Sequence, residues 1–465
     1  MGRPHETARL RILEHDRRTS RPRIEMNHQA EHWDHCLEYA CLTNIGMRRT
    51  NNQDALAAVV APTRQQWMDR GHLFMVADGM GAHAAGELAS KLAVDTVPLT
   101  YDKLRELSPP VAIHRAITAA NDKIHSRGEA NPEFKGMGTT TSVLLLLPQG
   151  AVVGHVGDSR VYRLRGNRLE QLSFDHSLVW ELRASRKAGD PELQQMVPKN
   201  IITRSLGPNA EVNIDLEGPF PLATGDVYLV CSDGLSGPVE DEEIGVILGS
   251  LPAEEAARVL VDLANLRGGP DNITVCVARV KGSQITQVAA PPLSVDGKVA
   301  TLPNQTSTTP ILWAVAGVFL LAAAVLATLA QPFAAAASLA AALVTAAFVL
   351  LRQSGAENGL SVGNSSLLGT GPYTTRVCAA NKKFVDRLEE TVHRLRDAAR
   401  GQDWAVDWHR FKQLCESGAK SAREGQFTDA VRHYYRAIQH MMAELRGQRQ
   451  RGESEPAADL DEPRN

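Results

Sequence analysis

The chain has 465 residues, of which 43% are hydrophobic and 22% are charged, and its formal net charge is −3. This length is too great for one ordinary domain, and the nearly balanced charge gives no reason to expect nucleic-acid binding. The six cysteines lie far apart without a Cys-x-x-Cys pair, which argues against structural zinc and a disulfide framework and is typical of reduced thiols in the cytosol.

A charged extension and a folded domain come first in the chain. Residues 1–34 are rich in charge, poor in apolar residues and without the apolar core of a signal peptide, which predicts a disordered extension. Residues 35–282 alternate short apolar runs with Gly, Asp and Asn turns and amphipathic stretches. This pattern predicts a folded domain that contains both strands and helices.

Within the folded domain, five aspartates lie at the ends of predicted strands or in turns beside them. The strands and aspartates are 39–45 followed by Asp54, 73–77 by Asp78, 152–156 by Asp158, 227–231 by Asp233, and 273–280 preceded by Asp271. Asp-Gly is a common turn pair, so a plain turn role stays open for any single one. Carboxylates that converge at one sheet edge repel each other, and hard divalent cations relieve that repulsion. The set therefore favours a magnesium or manganese site that activates water for attack on phosphorus.

Other phosphate chemistries lack their motifs in this sequence. It contains no G-x-x-x-x-G-K-[ST] phosphate loop and no H-E-x-x-H zinc motif. No cysteine is followed six positions later by arginine, so the thiolate-based phosphatase loop is absent too. Metal-activated water is the route that remains.

A linker and a long apolar segment follow the folded domain. Residues 283–310 are rich in Pro, Thr, Ser and Gln, which predicts a linker. Residues 311–330 and 333–351 are each about 20 largely apolar residues without charge, the length that a bilayer core requires. Gln331-Pro332 separates them, so 311–351 is predicted to be a transmembrane hairpin, with a buried Ala-rich helical pair as the alternative.

Basic residues after the second apolar stretch predict the orientation of the hairpin. They are Arg352, Arg376, Lys382 and Lys383. Because positive charge is enriched on the cytoplasmic side, we expect both ends of the hairpin to be cytoplasmic. The catalytic domain would then face the cytoplasm from the cell inner membrane.

The C-terminal part of the chain is predicted to be helical. Residues 352–376 are expected to be a second linker, and 377–448 are rich in Ala, Arg, Glu and Leu at helical spacing. Gly418, Gly425, Ala430, Tyr434 and Ala437 have the spacing of one tetratricopeptide-like helix pair, with a generic helical hairpin as the alternative. These helices are a candidate binding surface for a partner protein. Residues 449–465 are expected to be a disordered tail.

Eight motifs in the folded domain resemble, in order, those of the type 2C (PPM) metal-dependent serine/threonine protein phosphatases of bacterial type. They are Arg49-Thr50-Asn51-Asn52-Gln53-Asp54, Val76-Ala77-Asp78-Gly79-Met80-Gly81-Ala82-His83, Gly138-Thr139-Thr140, Gly157-Asp158-Ser159-Arg160, Asp175-His176-Ser177, Thr203-Arg204-Ser205-Leu206-Gly207, Ser232-Asp233-Gly234-Leu235 and Gly269-Pro270-Asp271-Asn272-Ile273-Thr274. The resemblance implies an α+β fold in which two antiparallel β-sheets lie between helical layers (αββα). It also implies hydrolysis of phosphoserine and phosphothreonine by attack of a water that bridges two Mn²⁺ or Mg²⁺ ions.

The resemblance assigns expected roles to individual residues. Asp78 would bridge both metals, with the Gly79 carbonyl on one and with Asp233 and Asp271 on the other. Asp158 matches the ligand of a third metal in bacterial-type members. The remaining expected roles are orientation of water by Asp54, phosphate binding by Arg49, and support of the site by Asn272 and His83.

The sequence departs from the family pattern at three positions. Gln53 replaces a common Glu, and Ala82 replaces a common Gly. Met80 occupies the position where some members have a histidine proposed as general acid, so the proton donor is not assigned; His83 is a candidate, although indirect support of the site is the favoured role. Residues 178–202, with Arg183, Arg186, Lys187 and Lys199, correspond to the variable flap and are expected to contact substrate or to form a solvated basic loop.

The resulting hypothesis is a membrane-anchored phosphatase that acts on phosphoproteins and opposes a Ser/Thr kinase. The alternative is a catalytically inactive phosphatase fold that serves as a membrane scaffold. Such proteins usually lose carboxylate ligands, and this chain retains all of them.

Overall fold

Two antiparallel β-sheets form the centre of the molecule, of which the computed structural model describes residues 36–81, 85–184, 201–286, 368–401 and 404–454. In spatial order, the first sheet contains β1 (Leu37–Asn44), β11 (Ile273–Val280), β10 (Val227–Cys231), β7 (Arg160–Arg165), β8 (Arg168–Gln171) and β12 (Thr374–Val377). The second sheet contains β2 (Asp54–Val59), β3 (His72–Met80), β5 (Thr141–Leu147), β6 (Gly150–Val156) and β9 (Asp215–Phe220), and the short β4 (Gly138–Thr139) pairs with the end of β3.

Ten helices accompany the sheets in the described part of the chain. They are α1 (Arg64–Arg70), α2 (Ala85–Lys103), α3 (Pro109–Ala130), α4 (Leu178–Ala184), α5 (Asp233–Ser236), α6 (Asp241–Ser250), α7 (Ala253–Leu266), α8 (Lys382–Gly401), α9 (Trp408–Arg423) and α10 (Phe427–Ser454). Several begin at a side chain that accepts an otherwise unpaired backbone N–H. Thr63 caps α1 through the amide of Gln66, and Asp407 caps α9 through the amide of Arg410.

Three apolar cores define the order of the layers. One lies between α2–α3 and the outer face of the second sheet and includes Met75, Ile113 and Ile117. Another fills the space between the two sheets and includes Phe74 and Tyr228. The last joins the outer face of the first sheet to α6 and α7. This arrangement confirms the predicted αββα sandwich of two antiparallel sheets between helical layers.

The observed strands follow the predicted ones closely, with one difference near Asp78. The sequence places strand 73–77 before Asp78-Gly79, whereas β3 continues through both residues to Met80. The reason is a pairing that lies far away in sequence: Gly79 and Met80 pair with Thr139 and Gly138 of β4. Asp78 is therefore held within a strand.

The C-terminal helices share a core with the αββα sandwich. Val385 of α8 and Tyr435 and Ile438 of α10 are buried in the same cluster as Ile247 of α6 and Leu260 of α7. Within the helical region, the Gly418 position leaves room for the Tyr434 ring, since a Cβ on Gly418 would lie 3.1 Å from it. The predicted helical region 377–448 thus packs against α6 and α7, and α10 extends into the predicted tail.

A segment before these helices is part of the β-sandwich. We call residues 368–378 the strap. Thr374–Val377 forms β12 and pairs with β8, although the sequence predicts a linker over 352–376. Its four residues, Thr-Thr-Arg-Val, are too few to predict a strand by themselves, and the edge of β8 supplies the hydrogen bonds.

Several predicted segments lie outside the described residues. They include the extension 1–34, the hairpin 311–351 and much of both linkers. Within the described ranges, none of the helices combines the length and apolar character needed to cross a bilayer.

Candidate active site

The paired strands β2 and β3 place two of the predicted aspartates side by side. Asp54 is the first residue of β2 and lies directly opposite Asp78 of β3. Asp54 is buried, and its carboxylate accepts a hydrogen bond of 2.8 Å from the Ser232 hydroxyl. Ser232, to which the sequence analysis gave no role of its own, therefore links the second sheet to the start of α5.

The other three aspartates come to the same edge from different elements. Asp158 follows β6, Asp233 is the first residue of α5, and Asp271 precedes β11. The charges of Asp54, Asp158, Asp233 and Asp271 all act on Asp78. The structure thus brings together the five aspartates that the sequence pattern selected.

Burial and mutual repulsion raise the pKa of these carboxyls. Burial, followed by the charges of its four acidic neighbours, holds the pKa of Asp78 well above its ordinary value. Burial and Asp233 are the leading causes that raise the pKa of Asp158 to about 7, and burial also raises that of Asp54 to about 7. A cluster of this kind destabilises the folded protein unless protons or cations offset it.

Three carboxylate oxygens in the cluster have no partner. Among the described residues, nothing hydrogen-bonds to Oδ1 of Asp54, Asp158 or Asp233, although all three atoms are buried. Buried polar atoms are normally hydrogen-bonded, so orphan acceptors at one site indicate a missing cation or water. As they stand, no three Asp, Glu, His or Cys side chains in the described ranges are grouped so that they could hold a metal ion.

The Gly138-Thr139-Thr140 motif fixes the backbone of Asp78. The Thr140 amide and the Thr139 hydroxyl donate to the Asp78 carbonyl at 2.8 and 2.9 Å. The Asp78 amide donates to the Thr140 hydroxyl at 2.9 Å. These threonines hold the central carboxylate in position without using its oxygens.

Two glycines permit close packing beside the cluster. A Cβ on Gly86 of α2 would lie 2.8 Å from the Gly79 carbonyl oxygen. A Cβ on Gly234 of α5 would overlap the Asn272 carbonyl. Backbone approach of this kind requires glycine.

Arg49 lies at the open side of the cluster. Its guanidinium donates to Asp271 at 2.7 Å, and the two side chains are 49% and 32% exposed. Among the described residues, Asp271 is the only one of the five whose carboxylate forms an ion pair. A guanidinium in this position suits a phosphate group, which it binds through two parallel hydrogen bonds.

Asn272 holds the loop that carries Arg49. Its side-chain amide donates to the carbonyls of Ile45 and Asn51 at 2.9 and 3.0 Å. Its side-chain oxygen accepts from the Gln53 amide at 2.8 Å. The Asn272 backbone amide also donates to the Asp271 carboxylate at 2.9 Å, so Asn272 fastens the loop and contacts the neighbouring aspartate.

A second polar network supports Asp158. Arg160 donates to Asp175 at 2.9 Å, and the His176 ring accepts from the Gly157 amide at 3.0 Å. The far nitrogen of His176 lies 2.9 Å from Asp215, which also pairs with Arg204 at 3.0 Å. These ion pairs and hydrogen bonds join the Asp-His-Ser and Thr-Arg-Ser motifs into one polar network beside the acidic cluster.

Some predicted site residues lie outside the described ranges. These are His83 and three of the four basic flap residues, namely Arg186, Lys187 and Lys199. Arg183 lies in α4, the described start of the flap.

Comparison with known proteins gives a consistent result. Residues 47–246 match the family described as Protein phosphatase 2C. Protein phosphatase PhpP of Streptococcus pneumoniae serotype 2 is 36% identical over 247 residues, which are 52% of this chain and 96% of PhpP. Serine/threonine protein phosphatase PstP of Mycobacterium tuberculosis is 35% identical over 272 residues, or 58% of this chain and 50% of PstP. The crystal structure of the PstP catalytic domain with two manganese ions is 35% identical, with a TM-score of 0.45 over 53% of this chain and 99% of that one.

The chain belongs to the protein phosphatase 2C family. The match spans nearly all of PhpP, and the family match 47–246 contains four of the five aspartates, namely Asp54, Asp78, Asp158 and Asp233. The chain is therefore a phosphoprotein phosphatase, as the motifs indicated, and the inactive scaffold is not favoured.

Proposed function

We propose that this protein hydrolyses phosphoserine and phosphothreonine in proteins, with Mn²⁺ or Mg²⁺ bound at the acidic sheet edge. The observation that carries the proposal is the group of buried carboxylates with orphan oxygens on Asp54, Asp158 and Asp233. Hard oxygen donors in this number fit manganese and magnesium. The two manganese ions in the PstP structure are consistent with this choice.

Two metal ions would be held by Asp78, Asp233, Asp271 and the Gly79 carbonyl, and a third ion by Asp158. When bound, these ions would supply Lewis-acid polarisation of the phosphate and acidify the attacking water. Asp54 accepts from Ser232 through one oxygen and has its other oxygen unpaired, so it is suited to orient a water molecule.

Arg49 would release the Asp271 carboxylate and bind the substrate phosphate in its place. Its exposure on the open side permits this exchange, and the Asn272 contacts keep its loop in place. The proton donor to the leaving serine or threonine oxygen is not assigned by the described residues.

The direct test is turnover of a phosphothreonine peptide by the full chain. Activity is expected with Mn²⁺ or Mg²⁺ and is expected to vanish in excess chelator, returning when the metal is restored. Asp233→Asn is expected to remain inactive at every metal concentration. Undiminished hydrolysis in chelator would exclude the metal-dependent mechanism.

We also propose that residues 311–351 anchor the enzyme in the cell inner membrane as a hairpin, with the catalytic domain in the cytoplasm. The described chain leaves the sandwich after Thr286 and rejoins it at Leu368, which pairs with Gly218. Both ends of the intervening segment therefore meet one folded unit, and this supports an even number of membrane crossings.

Protease protection of reporter fusions at residues 300 and 365 tests the anchor. Both sites are expected to be cytoplasmic. Reporters on opposite sides would exclude the hairpin. The anchor would raise the effective concentration of membrane-bound substrates, with a membrane Ser/Thr kinase as the proposed counterpart.

The helices 377–448 remain a candidate surface for a partner protein. Part of their apolar surface is buried against α6 and α7, so a partner would use the opposite face. Arg410 and Lys420 border a groove of about 480 Å³ between α9 and α10. The suitable assay is a pull-down with the full chain, and the control is the double variant Arg410→Glu, Lys420→Glu. Equal recovery of proteins by the two chains would count against this surface.

A further inference from the structure

The strap connects the two sheets of the sandwich at their edges. Leu368 exchanges backbone hydrogen bonds of 3.0 and 2.6 Å with Gly218 in β9, at the edge of the second sheet. Thr374–Val377 then pairs with β8 of the first sheet. Beyond β12, the Cys378 amide donates to the Asn167 carbonyl at 2.7 Å. One short segment therefore fastens both sheets before the chain enters α8.

A buried carboxylate anchors the middle of the strap. Glu217 of β9 is 2% exposed and accepts hydrogen bonds from the Gly371 amide, at 3.0 Å, and from the Tyr373 hydroxyl. Gly369 leaves room for this carboxylate, since a Cβ there would overlap it. These contacts fix the position of the Tyr373 ring along the edge of the sandwich.

The Tyr373 ring contacts a row of aromatic residues that leads to the acidic cluster. Its centroid lies 5.3 Å from that of Phe174 in an edge-on arrangement. Phe174 in turn lies 5.5 Å from Trp180 of α4 and 6.1 Å from His176. Trp180 is the first aromatic residue of the flap helix, and His176 holds the Gly157 backbone next to Asp158.

A polar route runs parallel to the aromatic one. The Tyr373 amide donates to the Gln171 carbonyl at 2.8 Å. The Gln171 side chain donates to Asp175 at 2.6 Å, and Asp175 accepts from Arg160. Both routes begin at Tyr373 and end at residues that support Asp158.

We propose that Tyr373 is a positioning residue: the strap holds the Phe174–Trp180 segment against the acidic cluster and thereby couples the C-terminal helices to the phosphatase site. The strap is joined closely to the helices around it. Cys378 is buried against α6, and Asn381, three residues later, caps α8 by accepting from the Phe384 amide at 2.9 Å. Displacement of α8 would therefore be transmitted to α4 through a segment of only a few residues.

Hydrogen exchange in the metal-free full chain tests the coupling without using activity. Tyr373→Ala is expected to speed exchange in residues 174–184 about three- to tenfold, the loss expected for an aromatic pair. The amides of His176, Leu178 and Glu181 report the segment, since they donate to Gly157, Ile201 and Ser177. Exchange in α2 and α3 is expected to stay unchanged.

Tyr373→Phe is the matched control. It keeps the ring contact with Phe174 and the Gly371 bond to Glu217 but loses the hydroxyl bond, so exchange in 174–184 is expected to rise less than in Tyr373→Ala. Unchanged exchange in Tyr373→Ala, equally fast exchange in Tyr373→Phe, or a rise spread evenly over α2 and α3 would each overturn the proposal. If Tyr373→Ala does not fold, Phe174→Leu carries the same expectation.

Kinetics add a second readout, which rests on the proposed function. In Tyr373→Ala, KM for a phosphothreonine peptide is expected to rise about three- to tenfold, with kcat for p-nitrophenyl phosphate within about twofold of native. Equal losses on both substrates would contradict a role through the flap helix. Inactivity of the native chain would refute the proposed function and leave the exchange result to decide the coupling.

Discussion

Acidic side chains are handled in opposite ways at the acidic cluster and at the junction with the C-terminal helices. In the cluster, Asp78 and Asp158 are buried with raised pKa values, and neither carboxylate forms an ion pair with another described residue. At the junction, acids on α6 and α7 are matched by arginines on α8 and α10. The pairs are Glu242 with Arg387, Glu255 with Arg436, and Asp262 with Arg446.

The two regions have different roles: the acidic cluster serves catalysis, and the junction serves stability. Buried aromatic residues at the junction stabilise the fold, and the ion pairs there leave the acids of α6 and α7 without unbalanced repulsion. Unpaired carboxylates do the reverse, and they persist because they perform chemistry. Substitutions in the two regions should therefore have opposite consequences for activity and for stability.

The largest effect is expected from Asp78→Asn. It should lower kcat for a phosphothreonine peptide by roughly 10³-fold or more, because it removes the central carboxylate. In chelator its melting temperature should equal or exceed the native value, since a repelling charge is gone. Calorimetry and steady-state kinetics measure both. Asp69→Asn, on the exposed side of α1, is the control with activity within about twofold of native. A destabilised Asp78→Asn chain would contradict the electrostatic account.

Arg49→Lys should have the next largest effect on activity. Lysine keeps the charge and loses the planar pair of donors, so kcat/KM should fall about 10- to 100-fold, as expected for a charged hydrogen bond. Arg48→Lys, one residue away and exposed, should stay near native. Equal effects of the two substitutions would show that Arg49 contributes only charge.

Tyr435→Ala should affect stability and spare the chemistry. The side chain is fully buried in the junction core, so its truncation should cost about 3–5 kcal/mol in urea unfolding of the full chain. Tyr435→Phe is the matched control and should cost little or stabilise, because the hydroxyl is buried without a partner among the described residues. A small loss in Tyr435→Ala would mean that the helices are only loosely docked.

The smallest effect concerns pH and a residue away from both regions. Burial lowers the pKa of His72 to about 4, and its ring accepts from the Ala61 amide. The folded protein thus binds fewer protons than the unfolded one between pH 6.5 and 4, so stability falls as the pH drops through that window. The loss approaches roughly 3 kcal/mol.

Urea midpoints at pH 7, 5.5 and 4.5 measure this dependence. In His72→Gln, the free energy of unfolding should depend less steeply on pH. Part of the dependence should remain, because burial also lowers the pKa of His155 to about 3. An identical slope in native and His72→Gln chains would rule out His72 as a source.

The sequence predicted the strands and the five aspartates because these features are local. An apolar run that ends at Asp-Gly or Gly-Asp carries its signal within a few residues. The roles of Ser232 and Thr140 and the loop contacts of Asn272 depend on segments far apart in the chain, as the Asp54–Ser232 bond illustrates. β12 was missed for the same reason: its short polar sequence becomes a strand only beside β8.

Direct titration of Mn²⁺ into the metal-free full chain is the measurement that tests the central claim. The native chain should bind at least two ions per molecule, and Asp78→Asn should lose both while keeping the native fold by circular dichroism. Absence of Mn²⁺ binding in a native chain that still hydrolyses a phosphothreonine peptide in chelator would contradict the account.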